Sequence, residues 1–111
     1  ALRLMTLSYG TRARDLVVVL GPSIGSCCYT VDDDRAATFS REFGDESVVR
    51  GDDGRPRLDL VAANRRIASD AGIETVLSLH SCTACDDRFG SFRRQGPARF
   101  TRMAAVIGYP R

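Results

Sequence analysis

Asp15–Val31, DLVVVLGPSIGSCCYTV, is the stretch from which the rest of the chain is read. Asp15–Leu20 is an apolar, β-branched run bounded by a charge and a Gly-Pro pair, as in a buried strand. Pro22 has no N–H for a ladder and a fixed φ, so the strand stops at Gly21. Gly25 lets the backbone turn sharply or approach another group closely. Cys27 and Cys28 stand at the exit of this loop, before Tyr29–Val31 resumes an extended course or enters a helix. A glycine-bearing loop at a strand end with two thiols suits a functional site. A tight turn with two small buried cysteines is the plainer alternative.

Working outward, the N-terminal ALRLMTLSYG reads as the last turns of a helix closed by Gly10. No start methionine or capping residue precedes it, so a longer protein lacking its N-terminal part is the expectation. Asp32-Asp33-Asp34 could suggest a metal site. At a helix entrance they suit an N-cap and the positive end of the helix dipole, and that is the expectation here. That helix would run to Phe43 with Ala36, Phe39 and Phe43 on one face. The loop 45–56 could hold a small hairpin at Asp53-Gly54. Arg57–Ala71 has the strongest helical period, with Leu60, Ala63, Ile67 and Ala71 as its apolar stripe. Glu74–Leu79 reads as a second strand, an irregular loop follows through Gly96, and Arg102–Tyr109 reads as a last strand. This order predicts an α+β fold, a mixed sheet with packed helices. Leu16, Val18, Leu20, Leu60, Ile67, Val76, Ala105 and Ile107 are the expected core.

The chain has 111 residues, 43% hydrophobic and 27% charged, which fits one domain or part of one. A net charge of +2 gives no general case for nucleic acid or membrane binding. No apolar run approaches the ~18 residues of a membrane span. All 16 basic residues are arginine, which excludes Schiff-base and Walker-type lysines from these residues. Four cysteines in two close pairs do not resemble a secreted disulfide framework, so a reducing, cytoplasmic setting is expected.

Three constellations carry chemistry. His80, Cys82 and Cys85 form H-x-C-x-x-C, and Cys27 or Cys28 could complete a set of zinc ligands. Thiols that pack in the loops without a metal are the competing reading and the expected one. Cys27 with His80 could also form a thiolate–imidazole pair. Ser91, Arg93 and Arg94, with Arg102 downstream, offer guanidinium and hydroxyl donors to a phosphate. In an extended segment Arg93 and Arg94 would point to opposite sides. If the strands before the two cysteine loops are parallel neighbours, both loops leave the same sheet edge, where α/β proteins place their sites. Cys27 or Cys28 would then lie near Cys82, with Arg93 or Arg94 reaching the cleft between them.

GPSIGSCCYTV resembles the G-P-x-I-G-x-C-C-Y-x-V segment of the laccase-domain family, also described as multicopper polyphenol oxidoreductases and as purine nucleoside phosphorylases. Further blocks follow in the family's order: LDLVAANR at Leu58–Arg65, CTAC at Cys82–Cys85, SFRR at Ser91–Arg94 with Gly96, and Arg102-Met103. There are two departures. Phe89-Gly90 leaves one aromatic where the family usually has two, and Phe100-Thr101-Arg102 stands for T-G-R. The resemblance implies the C-terminal half of a larger α/β sandwich domain. It implies zinc-dependent phosphorolysis of adenosine, inosine and methylthioadenosine, with adenosine deamination besides. The implied zinc ligands, two histidines and a cysteine, lie upstream of the matched segment, one of them in an H-A-G-W-R-G motif that is not in this chain. Inactivity of the chain alone is therefore expected. Copper-dependent polyphenol oxidation is the alternative, and a non-catalytic scaffold or partner-binding remnant is a third. Purine nucleoside and phosphate are the implied small-molecule partners, and an N-terminal half or a second copy the implied protein partner.

Overall fold

The computed structural model describes residues 1–108. Helix α1 (Leu2–Tyr9) ends at Gly10, whose φ of 64° lets its N–H fold back onto the Thr6 carbonyl at 3.1 Å. A 3₁₀ turn at Ala13–Asp15 leads into strand β1 (Val17–Leu20), so Asp15 belongs to the turn and not to the strand. Helix α2 (Asp33–Phe43) starts where the triple aspartate predicts a cap. The Asp32 carboxylate accepts the Arg35 N–H at 2.7 Å, and Asp33 and Asp34 occupy the first turn.

Strands β2 (Val48–Arg50) and β3 (Pro56–Leu58) form the small antiparallel hairpin, with Val48 opposite Leu58. On its other edge β3 meets Tyr29–Val31, through Leu58 N–H to the Tyr29 carbonyl and Val31 N–H to the Pro56 carbonyl, each at 3.0 Å. Helix α3 (Leu60–Asp70) begins later than the expected Arg57. Arg57 and Leu58 are taken by the hairpin, and Asp59 caps the helix by accepting the Ala62 N–H at 2.9 Å.

Strand β4 (Thr75–Ser78) pairs in parallel with β1, Val17 opposite Thr75 and Leu20 opposite Ser78. The fold is α+β, and its parallel and antiparallel pairings sit in two separate two-stranded sheets. A short helix α4 (Phe92–Gln95) lies within the stretch expected to be an irregular loop through Gly96. Two residues explain it: the Ser91 hydroxyl accepts the Arg94 N–H, and the Gln95 side chain accepts the Ser91 N–H.

The core is small and lies between α2, α3 and the hairpin. Ala36, Leu58, Ala63, Ala68 and Ile73 are buried, with Ser47 closed in beside them. The Ser47 hydroxyl donates to the Gly44 carbonyl at 2.6 Å, and its carbonyl accepts the Asp59 N–H at 2.7 Å, so this polar residue is satisfied. Of the expected core, Leu16, Val18, Leu20, Leu60 and Val76 are half-buried. Ile67 is 45% exposed and Ile107 89%, and Ala105 is exposed too. Ile67 shares a stripe with Leu60 and Ala63, but periodicity says which side chains share a stripe, not what covers them. Residues 102–108 form no strand, because an extended segment becomes a strand only beside a partner. Tyr109, the end of that expected strand, lies outside the described residues. Among the described residues no helix is long and apolar enough to cross a membrane.

Candidate functional site

Parallel pairing of β1 with β4 places the two cysteine-bearing loops at one edge. The pairing continues past the strands: Leu79 N–H reaches the Leu20 carbonyl, Thr83 N–H reaches the Ser23 carbonyl, and Ser23 bridges Cys82. The loops are thus zipped together up to the thiols. Each ends in a single turn of the same design. The Gly25 carbonyl accepts the N–H groups of Cys28 and Tyr29, and the Cys82 carbonyl accepts those of Cys85 and Asp86.

The sulfurs of Cys27, Cys28, Cys82 and Cys85 all lie within 4.8 Å of one another. Cys85 Sγ is 3.3 Å from Cys28 Sγ and 3.6 Å from Cys27 Sγ. This differs from the expected packing of separate thiols against apolar side chains. Cys27 and Cys85 are exposed, Cys28 and Cys82 half-buried, and the near neighbours of each sulfur include another sulfur. His80 is not part of this group, so no zinc set containing it is assembled, although it lines the same cleft as Cys27.

Four thiols at this spacing cannot ionise independently. Burial pushes Cys27 up to about 12, helped by hydrogen bonding with Cys82, Cys85 and Cys28. Cys28 is raised as well, chiefly by its contact with Cys85. Burial acts in the same sense at Cys82. There, N–H groups of Gly25, Cys85 and Ala84 favour the thiolate and bring it down to about 6. The Gly25 N–H lies 3.2 Å from Cys82 Sγ. A Cβ on Gly25 would stand 3.2 Å from Cys27 Sγ and 3.3 Å from Cys82 Cβ, so any larger residue would push the cysteine side chains back by a few tenths of an ångström.

The anion candidates take up different positions. Arg94 donates to the carbonyls of Thr83 (2.6 Å), Asp86 (2.8 Å) and Phe89 (2.5 Å), bracing the CTAC loop. Arg93 donates to the Thr30 carbonyl at 3.2 Å and stacks on Tyr29, 5.3 Å from its ring centre. With the buried Ser91 it lines a hollow of about 330 Å³ beside Ser23 and Thr83. Arg102 lies over Phe100. Asp86, bonded first by the Arg88 side chain, is held down to about 2.

A larger cleft, about 640 Å³, opens on the other side of the Ser23–Gly25 segment. Arg65 and Arg66 of α3 line it with Ser26, His80, Ser81 and Cys82. Arg66 is paired with Asp70 and Glu46. Arg65 closes the LDLVAANR block; its place in the cleft shows only once α3 is set beside the two loops.

Gly90 marks the family departure in the sequence. A Cβ there would meet the Thr101 carbonyl, 2.8 Å from its carbon and nearer still to its oxygen. The backbone of residue 101 thus lies against residue 90 because that residue has no side chain. Gly90→Ala is expected to cost about 1–3 kcal/mol, seen as a lower urea midpoint at unchanged m. An unchanged midpoint would show that residue 101 is not seated there.

The family described as multi-copper polyphenol oxidoreductase laccase matches residues 1–110. The chain belongs to this laccase family. Among its relatives, a purine nucleoside phosphorylase from Deinococcus radiodurans is 36% identical over 105 residues, covering 95% of this chain and 40% of that protein. Purine nucleoside phosphorylase LACC1 of Mus musculus is 34% identical over 99 residues, covering 83% and 23%. The crystal structure of YlmD from Geobacillus stearothermophilus superposes with a TM-score of 0.73 at 31% identity, covering 84% of this chain and 37% of that one. This laccase-family chain therefore spans well under half the length of each of these relatives.

Proposed function

We propose that the chain is part of a purine nucleoside phosphorylase acting on adenosine, inosine and methylthioadenosine, with adenosine deamination as a further activity. The observation that carries this reading is the match to phosphorylase-named relatives over most of the chain. In phosphorolysis a phosphate oxygen bonds to the anomeric carbon while the glycosidic C–N bond breaks. The electron pair leaves with the purine, which gains a proton, and no oxidant is needed.

The chain's own part in this is positioning and charge. Arg93, with guanidinium N–H groups beyond the one on Thr30, Ser91 beside it and Arg102 are the proposed phosphate-facing groups. Arg65 gives the larger cleft a cation, and a volume of about 640 Å³ suits a nucleoside. The family's zinc is proposed for the longer protein. The two histidines and cysteine implied for it are not found here, since His80 is the sole histidine. Val17, Val19 and Leu77 expose one face of the parallel pair, and Leu79 just beyond it is exposed as well. That supports association with an N-terminal half or a second copy. The copper-oxidase reading has the family's description in its favour. Copper(II) sites favour N and O donors, and this chain brings thiols together instead.

The test is hypoxanthine release from inosine. The purified chain alone is expected to release none, and a protein extended to its relatives' length is expected to do so only with phosphate. Release by the chain alone would overturn the dependence on a longer protein. Phosphate-independent oxidation of a polyphenol by the extended protein, without nucleoside cleavage, would overturn the phosphorylase reading.

A further inference from the structure

We propose that Cys27, Cys28, Cys82 and Cys85 form a closed tetrathiolate zinc centre that staples the two loops at the edge of the parallel pair. It is separate from the zinc implied for catalysis, because it uses four sulfurs of this chain and no histidine. It does not rest on the phosphorylase reading.

Geometry carries the proposal. Zinc–sulfur bonds of about 2.3 Å in a tetrahedron put the sulfurs about 3.8 Å apart. The observed separations include 3.3 and 3.6 Å and reach no further than 4.8 Å, so an ion at the centre needs only small side-chain adjustments. The ligands come as two pairs on two loops, each pair held by a turn closed on one carbonyl, Gly25 or Cys82. The loops are fixed to each other by the Ser23–Cys82 bridge independently of any ion, so the site is formed before metal arrives.

The surroundings fit a doubly negative centre. Zinc held by four deprotonated sulfurs makes a tetrathiolate centre of charge −2. Two guanidinium groups brace the loops that carry it: Arg57 on the Cys27 carbonyl at 3.2 Å, and Arg94 on the Thr83 carbonyl at 2.6 Å. The Gly25 N–H donates to Cys82 Sγ, a hydrogen bond that stabilises and orients a thiolate ligand. Sulfur donors select soft ions such as zinc, and four of them leave no open position for substrate. The role is therefore structural. The apolar core is small, and a metal that binds the folded chain and not the unfolded one adds to its stability.

The experiment uses the whole chain, purified under reducing conditions. Elemental analysis is expected to find one zinc per chain. The metal-free chain titrated with Co²⁺ is expected to give intense tetrahedral bands and sulfur-to-metal charge transfer, saturating at one equivalent. His80→Ala should leave both results unchanged, whereas Cys85→Ser should lose the tetrathiolate spectrum and bind zinc at least tenfold more weakly. Cys85→His should keep a tetrahedral site with shifted bands, which separates lost ligation from lost folding. Stoichiometric copper or iron in place of zinc would overturn the proposal. So would a metal-free mass lower by the hydrogens of one or two disulfides, or a weak octahedral cobalt spectrum from the reduced chain.

Discussion

Leu58→Ala is expected to destabilise the chain by about 2–5 kcal/mol, the range for a well-packed leucine. Leu58 is 2% exposed. It pairs with Val48 inside the hairpin, and its N–H bonds the Tyr29 carbonyl on the opposite edge. Truncation would open a cavity at the junction of the hairpin and the helices, where the other buried side chains are small or fixed, among them Ser47, Pro56 and the buried alanines. These cannot move far to fill it. Ile67→Ala is the control. At 45% exposure it is expected to cost less than about 1 kcal/mol. Urea unfolding of both variants checks the contrast, and equal losses would place the core elsewhere.

Arg94→Ala is expected to cost about 2–3 kcal/mol, since hydrogen bonds from a charged donor are individually worth about 1.5–3 kcal/mol. Three carbonyls of residues 83–89 converge on this one guanidinium. Water can replace it at the exposed Asp86 and Phe89 carbonyls, so the loss falls mainly on the part-buried Thr83 carbonyl and on the loop that the three bonds hold together. Lysine restores the charge but not the fork, so Arg94→Lys should recover only part of the loss. Amide exchange in residues 82–90 should quicken in both variants, more in the alanine one. Exchange there at the unaltered rate would mean that the loop is held by something else.

What the sequence reveals here follows the range of the forces involved. Gly10, Asp32 and the Asp53-Gly54 turn act within a few residues, and the structure has them as read. The shared edge of the cysteine loops was also legible, since two apolar runs each followed by a thiol-bearing loop leave few parallel arrangements. The separation of the four sulfurs was not, because it depends on turn closure and on Gly25 approaching Cys82. Asp59 is hidden as a cap in the sequence, because the helical period extends smoothly back through Leu58 to Arg57, which the hairpin claims. Ser91–Arg94 reads as part of an irregular loop, because the helical turn there depends on side-chain bonds, Ser91 N–H to Gln95 and Arg94 N–H to the Ser91 hydroxyl, that no apolar period announces. Ile67 and residues 102–108 failed for another reason: their apolarity is real, but the cover it asks for is not among the described residues.

The parallel pairing also sets an order of assembly. Cys27 and Cys85 are 58 positions apart in the chain. The hairpin and the cap of α3 need only local contacts, so they can form early. Bringing β1 to β4 means closing a long loop, whose entropy cost is met before any of the contacts it makes can repay it. The edge that carries the thiols is then expected to order after the hairpin and the cap of α3.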